Sequence, residues 1–421
     1  MTTSNVHRSI DAVWRIEAPR LIAGIARMVR DVGLAEDLAQ DALVAALEHW
    51  PQSGMPDNPG AWLMATAKRR AIDRLRHRTL VQRKHEQLGH ELETSQMGAS
   101  GFEDSLDDDI GDDLLRLVFT ACHPVLSTQA QVALTLRLLG GLSTDEIARA
   151  FLLPEPTIAQ RIVRAKRTLA KEQVPFEVPR KDALAERLSS VLGVIYLIFN
   201  EGYTASAGDD WMRPALCEEA LRLGRVLAGL VPRESEAHGL VALMEIQASR
   251  VAARVGPSGE PILLLEQSRG HWDQLLIRRG LVALERAEQL GGARGTYALQ
   301  AAIAACHARA LRAEDTDWAR IADLYATLAS IAPSPVVELN RAVALGMALG
   351  PAAGLALADT LVAEPLMQHY HLLPAVRGDL LRKLERPDEA RAEFERAAAL
   401  TRNARERALL LQRAAACAPV P

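Results

Sequence analysis

Aromatic residues are scarce, at 4% of 421 positions, and runs in which Val, Ile and Thr alternate with polar residues are almost absent. Both shortages argue against a sheet-rich fold. Alanine and leucine dominate wherever the pattern is regular, so an all-α chain of two to four domains is expected. Cysteine is also sparse. Cys122, Cys217, Cys306 and Cys417 lie far apart and make no CxxC pair, which excludes a disulfide framework and reads as reduced thiols of a cytoplasmic protein. The Cys122-His123 pair has no second pair at ligand spacing, so no metal is expected. The N-terminal MTTSNVHRSIDAV lacks the basic-then-apolar order of a signal segment. The uncharged stretch Ala342 to Ala358 is mostly Ala and Gly, is broken by Gly350-Pro351, and is short for a membrane span. A buried helical hairpin is the expectation there, with no membrane partner.

Motifs for catalysis are missing as well. There is no nucleophile–base spacing, no phosphate-cradling glycine loop and no metal-ligand pattern. Asn200, Glu201, Tyr203, Asp209, Asp210 and Trp211 gather polar and aromatic groups, yet they read as a helix end followed by a loop. No enzymatic activity and no cofactor are expected.

What is present is charge segregation. The formal net charge of -4 conceals basic helices and an acidic stretch. From Glu91 to Asp113 there are nine carboxylates and no Lys or Arg. Residues 79-113 therefore read as a flexible acidic linker with a root-mean-square span of roughly 32 Å. Before it, residues 6-78 form a helical domain. Leu21, Ile22, Ile25, Met28 and Val29 make one apolar helix face, Asp31-Val32-Gly33 breaks it, and a second helix runs from Leu34 to about Trp50. Pro51 to Pro59 is an expected loop, and Asn58-Pro59 reads as an N-cap with proline at the first helical position. After the linker, residues 114-172 are helical, and residues 180-421 form a long helical extension. In that extension Val337–Leu361 and Leu372–Leu400 share a helix-turn-helix outline. The second copy carries Ala390-x3-Phe394, part of the tetratricopeptide (TPR) pattern.

Two helices carry the functional reading. On the helix from Pro59, Met64, Ala67, Ala71 and Leu75 share a stripe, while Thr66, Arg69, Arg70, Asp73, Arg76 and His77 lie opposite, with Trp62 beside them. A basic face with an aromatic near its start suits phosphate contact and stacking on an unpaired base. Further on, Ser143 and Glu146 form a capping box. The turn Leu152 to Glu155 then leads into a helix with buried stripe Ile158, Ile162, Ala165 and Leu169. Thr157, Gln160, Arg164, Arg167 and Lys171 face away, and Arg161 flanks them. This is a helix-turn-helix whose second helix suits the major groove, where Arg and Gln read guanine and adenine edges.

The ordered set resembles the extracytoplasmic-function (ECF) family of RNA polymerase sigma factors. Leu34-Ala35-Glu36-Asp37-Leu38-Ala39-Gln40-Asp41 resembles the segment of sigma region 2 that grips the polymerase clamp helices, which makes Asp37, Gln40 and Asp41 the expected polymerase contacts. Asn58-Pro59-Gly60-Ala61-Trp62-Leu63, continued by Ala67 to Arg76, resembles the helix that reads and melts the −10 element. Leu142 to Leu169 is similar to sigma region 4, which reads the −35 element. The turn departs from the family in lacking a glycine. The extension resembles the ECF subgroup with a TPR-like C-terminal domain, in which Tyr196 to Tyr203 is a recognisable segment. That resemblance implies regulation through the extension and linkage to small YCII-like proteins. The implied partners are core RNA polymerase, promoter DNA and such a YCII-like protein. Two other readings of the residues stand beside this one: a ligand-sensing helix-turn-helix regulator and a TPR scaffold. The first leaves the basic helix from Asn58 unexplained, the second the charge segregation.

Overall fold

Arg30, at φ 53°, ends the first helix, α1 (Thr3–Val29). The computed structural model describes residues 3–87, 110–205, 209–257 and 259–417. Leu21, Ile22, Ile25 and Val29 of α1 are buried, as the apolar spacing requires. The next helix, α2 (Val32–Ser53), starts two residues before the expected Leu34, because the Asp31 carboxylate accepts the Leu34 amide at 3.0 Å and caps it there. Pro51 sits inside the last turn of α2 instead of opening the loop, and the helix stops at Gly54, φ 84°.

Asn58 accepts the Ala61 amide at 3.0 Å and starts α3 (Pro59–Gln87). This helix continues past Arg78 through residues expected to be linker. Thr79 to Gln87 contains neither Gly nor Pro, so nothing local ends it. The linker's first seven carboxylates fall outside the described residues. The last two belong to α4 (Ile110–Ala121), where Asp113 is buried, 2.6 Å from Arg116 and 3.4 Å from Arg27. Then follow α5 (Thr128–Leu138), α6 (Thr144–Phe151), α7 (Glu155–Lys171) and α8 (Lys181–Tyr203).

The chain divides into two compact units, residues 1–194 and 195–421, with the boundary inside α8. In the first, α1 packs on α2, α3 and α4, and α2 also meets α7. The start of α8 joins this unit through Arg187, which donates to the Phe119 carbonyl at 2.8 Å.

The second unit is a succession of helices, most of them packed on their sequence neighbours, with α12 reaching back past α11 to pack on α10: α9 (Pro214–Leu230), α10 (Ser235–Ala248), α11 (Gln274–Gln289), α12 (Thr296–Arg309), α13 (Trp318–Ile331), α14 (Pro335–Ala348), α15 (Pro351–Thr360), α16 (Leu372–Lys383), α17 (Pro387–Leu400) and α18 (Ala404–Ala415). The uncharged stretch is the hairpin α14–α15, turned at Gly350, φ 103°. Its two helices approach so closely that a Cβ on Gly354 would stand 2.5 Å from the Ala342 carbonyl oxygen. In α16–α17, Ala390 and Phe394 are fully buried, and a Cβ on Gly378 would lie 2.9 Å from the Phe394 ring. The Ala-x3-Phe signature thus marks a small-on-large packing layer. Among the described residues there is no strand, only an isolated bridge between Val255 and Pro261. One described helix, over Ala183–Tyr203, is long and apolar enough to cross a membrane, with mean hydropathy 1.3.

Candidate nucleic-acid and polymerase interfaces

The helix-turn-helix is assembled by local chemistry. Ser143 Oγ accepts the Glu146 amide at 3.1 Å, and the Glu146 carboxylate accepts the Ser143 amide at 2.8 Å, so both strands of the capping box are closed. Ile147 and Ala148 of α6 are buried, and so are Ile158, Ile162, Ala165 and Leu169 of α7. The turn that lacks glycine places Leu152 itself in the left-handed conformation, φ 51° and ψ 42°. A β-carbon is strained there, and more than half of the Leu152 side chain is exposed, so its burial contributes little in return. Thr157, Gln160, Arg164 and Arg167 all face solvent on α7, and Arg161 is half-buried beside them.

On α3 the buried stripe is Leu63, Ala67 and Ala71, with Met64 and Leu75 half-buried. Asn58, Arg69, Asp73, Arg76 and His77 are exposed, whereas Thr66 and Arg70 are half-buried. Trp62 is held edge-on against the buried Trp50 ring, centroids 5.3 Å apart, with His49 at 6.5 Å. The indole is thus partly packed and, being half-buried, partly accessible. The polar residues of α2 are not independent of α3: Asp41 lies 3.5 Å from the Arg70 guanidinium. Asp37 and Asp41 are both exposed, and Gln40 is half-buried, donating to Glu36 at 2.5 Å.

Glu36 is the residue that periodicity misses. It sits within the segment resembling the clamp-binding motif, but its side chain is only 3% exposed. Arg137 of α5 approaches it at 2.6 Å and Lys166 of α7 at 2.5 Å, and Lys166 also lies 3.6 Å from Asp37. A second bridge joins Arg15 of α1 to Glu146 of the capping box. Lys166 therefore belongs to the seam between the two helical halves of the unit and not to the exposed face of α7 that carries Gln160 and Arg164. Cys122 is buried, with Sγ 3.4 Å from Thr135 Oγ1, and burial pushes its thiol up to about 11. His123 is held below the ordinary histidine range by burial and by the Arg187 charge. Among the described residues no His, Cys, Asp and Glu side chains cluster as a metal site.

Three segments of the chain match known protein families. Residues 14–80 match Sigma-70 region 2, residues 116–169 match Sigma-70 region 4, and residues 187–288 match a family of unknown function, DUF6596. An uncharacterized protein of Rhizobium meliloti, R00370, is 41% identical over 95% of this chain and 94% of its own length. The ECF RNA polymerase sigma factor SigK of Mycobacterium ulcerans is 31% identical, over 36% of this chain and 78% of its own. The probable RNA polymerase sigma-C factor of Mycobacterium bovis is 28% identical, over 39% of this chain and 80% of its own. A loose likeness to yeast Tom70, TM-score 0.31 at 11% identity over 92% of this chain and 81% of that one, supports no statement about the extension. An all-α protein with sigma region 2, a helix-turn-helix region 4 and a helical extension is a transcription-initiation factor in class. The chain belongs to the ECF family of RNA polymerase sigma factors.

Proposed function

We propose that the chain binds core RNA polymerase and directs it to particular promoters. Residues 6-78 would take the polymerase and the −10 element, and residues 114-172 the −35 element. The observation that carries this reading is α7. Its four inward residues are all buried, which leaves Thr157, Gln160, Arg164 and Arg167 free to meet base edges. The basic face of α3, with Asn58, Trp62, Thr66, Arg69, Arg70, Asp73, Arg76 and His77, serves the −10 region. Asp37 and Asp41, exposed on α2, offer carboxylates to the polymerase, and Gln40 stands beside them. Bond making belongs to the polymerase, with no catalysis by this chain.

The seam around Glu36 bears on how the parts are presented. Lys166 and Arg137 cover the same helix that offers Asp37, so engagement of polymerase by α2 competes with its contacts to α5 and α7. Residues 180-421, with a cytoplasmic location and a small YCII-like protein as a partner to test, act as the regulatory part. The experiment is gel filtration of the full chain with core polymerase, followed by transcription from a cognate promoter. Co-elution and a promoter-dependent transcript support the reading. Tight binding of duplex DNA as a symmetric dimer, without polymerase, favours the ligand-sensing regulator instead.

A further inference from the structure

The second unit gathers three guanidiniums that form no ion pair among the described residues, Asp315 acting on Arg269 only from a distance. Arg250 and Arg254 lie just after α10, and Arg269 on the short turn before α11. The Asp273 amide, bonded to the Ser249 carbonyl at 2.8 Å, draws the two ends of this segment together. The Arg250 guanidinium stands 5.7 Å from the Tyr203 ring and 5.6 Å from Trp272. Arg254 lies 3.6 Å over Tyr203 and 5.6 Å from Trp211, and Arg269 lies 4.7 Å over Trp272. Arg254 and Trp272 are nearly fully buried.

Other enclosed guanidiniums of this unit are each met by a carboxylate. Arg213 has Glu201, Arg225 has Glu245 at 2.8 Å, Arg377 has Glu393 at 2.7 Å, and Arg413 has Asp379 at 2.5 Å. No described carboxylate forms an ion pair with Arg250, Arg254 or Arg269. A charge taken out of water without a partner is strongly unfavourable, and stacking on aromatic faces offsets only part of it. Two of the three are held in place by neutral oxygens. Arg254 donates to the Tyr203 carbonyl and to Thr204 Oγ1 at 3.0 Å, and Arg269 to the His307 carbonyl and Thr316 Oγ1 at 3.1 Å. The central one, Arg250, makes no side-chain hydrogen bond among the described residues. The buried Nε atoms of Arg250 and Arg269 and Nε1 of Trp272 are likewise without acceptors, and Nδ1 of His307 has no partner. His307 adds no positive charge, being pushed down to about 3 by burial and by Arg250 and Arg269. Gln267 Oε1 is a lone unpartnered acceptor in the same segment, and a surplus of donors with net positive charge describes a receptor for an oxyanion.

We propose that the second unit binds a small molecule through a phosphate or carboxylate group at Arg250, held between Tyr203 and Trp272 and flanked by Arg254 and Arg269. Arg250 is half-buried where Arg254 is buried, which leaves the ligand an approach. The segment Tyr196 to Tyr203, with Trp211 nearby, then acquires a role that its sequence does not announce: its last residues build one wall of the receptor. The proposal does not depend on polymerase binding by the first unit.

The test is thermal unfolding of the full chain in sodium chloride, sodium phosphate and sodium acetate at matched ionic strength, with tryptophan fluorescence recorded alongside. The expected result is a saturable rise in the second unit's midpoint with phosphate or with acetate. A response to phosphate alone identifies a phosphoryl ligand and to acetate alone a carboxylate. Arg250→Met should abolish the saturable rise and raise the midpoint in chloride, because an unpaired charge is removed. Arg250→Lys should keep a weakened response. Phosphate stabilises proteins non-specifically by exclusion from their surface, so a non-saturating rise shared equally by Arg250→Met counts against the site. Identical midpoints in all three salts, or a saturable rise that survives Arg250→Met, would overturn the proposal.

Discussion

Lys166 of the helix-turn-helix places its ammonium 2.5 Å from the buried carboxylate of Glu36, on the helix that resembles the polymerase-gripping segment. A residue from the DNA-reading motif is thereby committed to holding the two helical halves of the first unit together. Arg137 completes the arrangement from α5.

Removing Glu36 should cost more than removing either cation. Glu36→Ala takes from Arg137 and Lys166 the buried carboxylate they share, leaving only the exposed Asp37, 3.6 Å from Lys166, and breaking a buried pair from one side costs about 3–5 kcal/mol. Lys166→Met keeps the Arg137 contact and should cost clearly less. Denaturant unfolding of the first unit, followed by circular dichroism, gives both values. Equal and small losses would show the seam to be dispensable.

The turn of the helix-turn-helix yields an opposite sign. Leu152 at φ 51° bears a left-handed strain of about 1–2 kcal/mol that glycine lacks. Leu152→Gly should be neutral or stabilising by up to about 1 kcal/mol, whereas the β-branched Leu152→Val should destabilise. The same denaturant curves compare them, and a loss of more than about 1 kcal/mol in the glycine variant would contradict the argument.

On DNA the two basic helices should separate by type of effect. Arg164→Ala and Gln160→Ala should each change −35 preference by roughly 1–3 kcal/mol per lost base contact. Arg69→Ala and Arg76→Ala should weaken −10 binding or opening, and more at high salt. Lys166→Ala should alter stability while leaving −35 preference intact. Selection from a promoter library reads all of these, and unchanged −35 preference in the first pair would remove α7 from the groove.

Acid should weaken the second unit through His307. Its folded pKa, about 3, is below the ordinary 6.5, so the unfolded chain takes up a proton that the folded chain refuses. The contribution is whole above pH 6.5 and is lost as pH falls from there towards 3. His307→Phe should flatten that limb of the stability curve measured in chloride. A limb of unchanged slope would show that other groups carry it.

Much of this was legible because it is local. The stripe Ile158, Ile162, Ala165 and Leu169, the Ser143–Glu146 box and the Asn58 cap each need only a few consecutive residues, and each is present as written in the sequence. What was not legible depends on distant partners. Glu36 looks like another exposed acid of α2 until Arg137, 101 positions away, is folded onto it. Asp113 reads as the tail of an acidic linker, yet Arg27 of α1 draws it into the core. The Arg250 cluster joins the end of α8 to two turns and α12, and no periodicity announces such a meeting. Trp62 is both things that its sequence allows, half structural against Trp50 and half exposed.

The central claim is that this chain works through polymerase, and one measurement tests it most directly. The full chain and its Asp37→Lys, Asp41→Lys double variant are each run with core polymerase on a gel-filtration column. Both carboxylates lie exposed on α2, so the variant should keep its helical circular dichroism. The account predicts co-elution of the unaltered chain and loss or clear weakening of co-elution for the variant. Failure of the unaltered chain to associate with core polymerase would contradict the account.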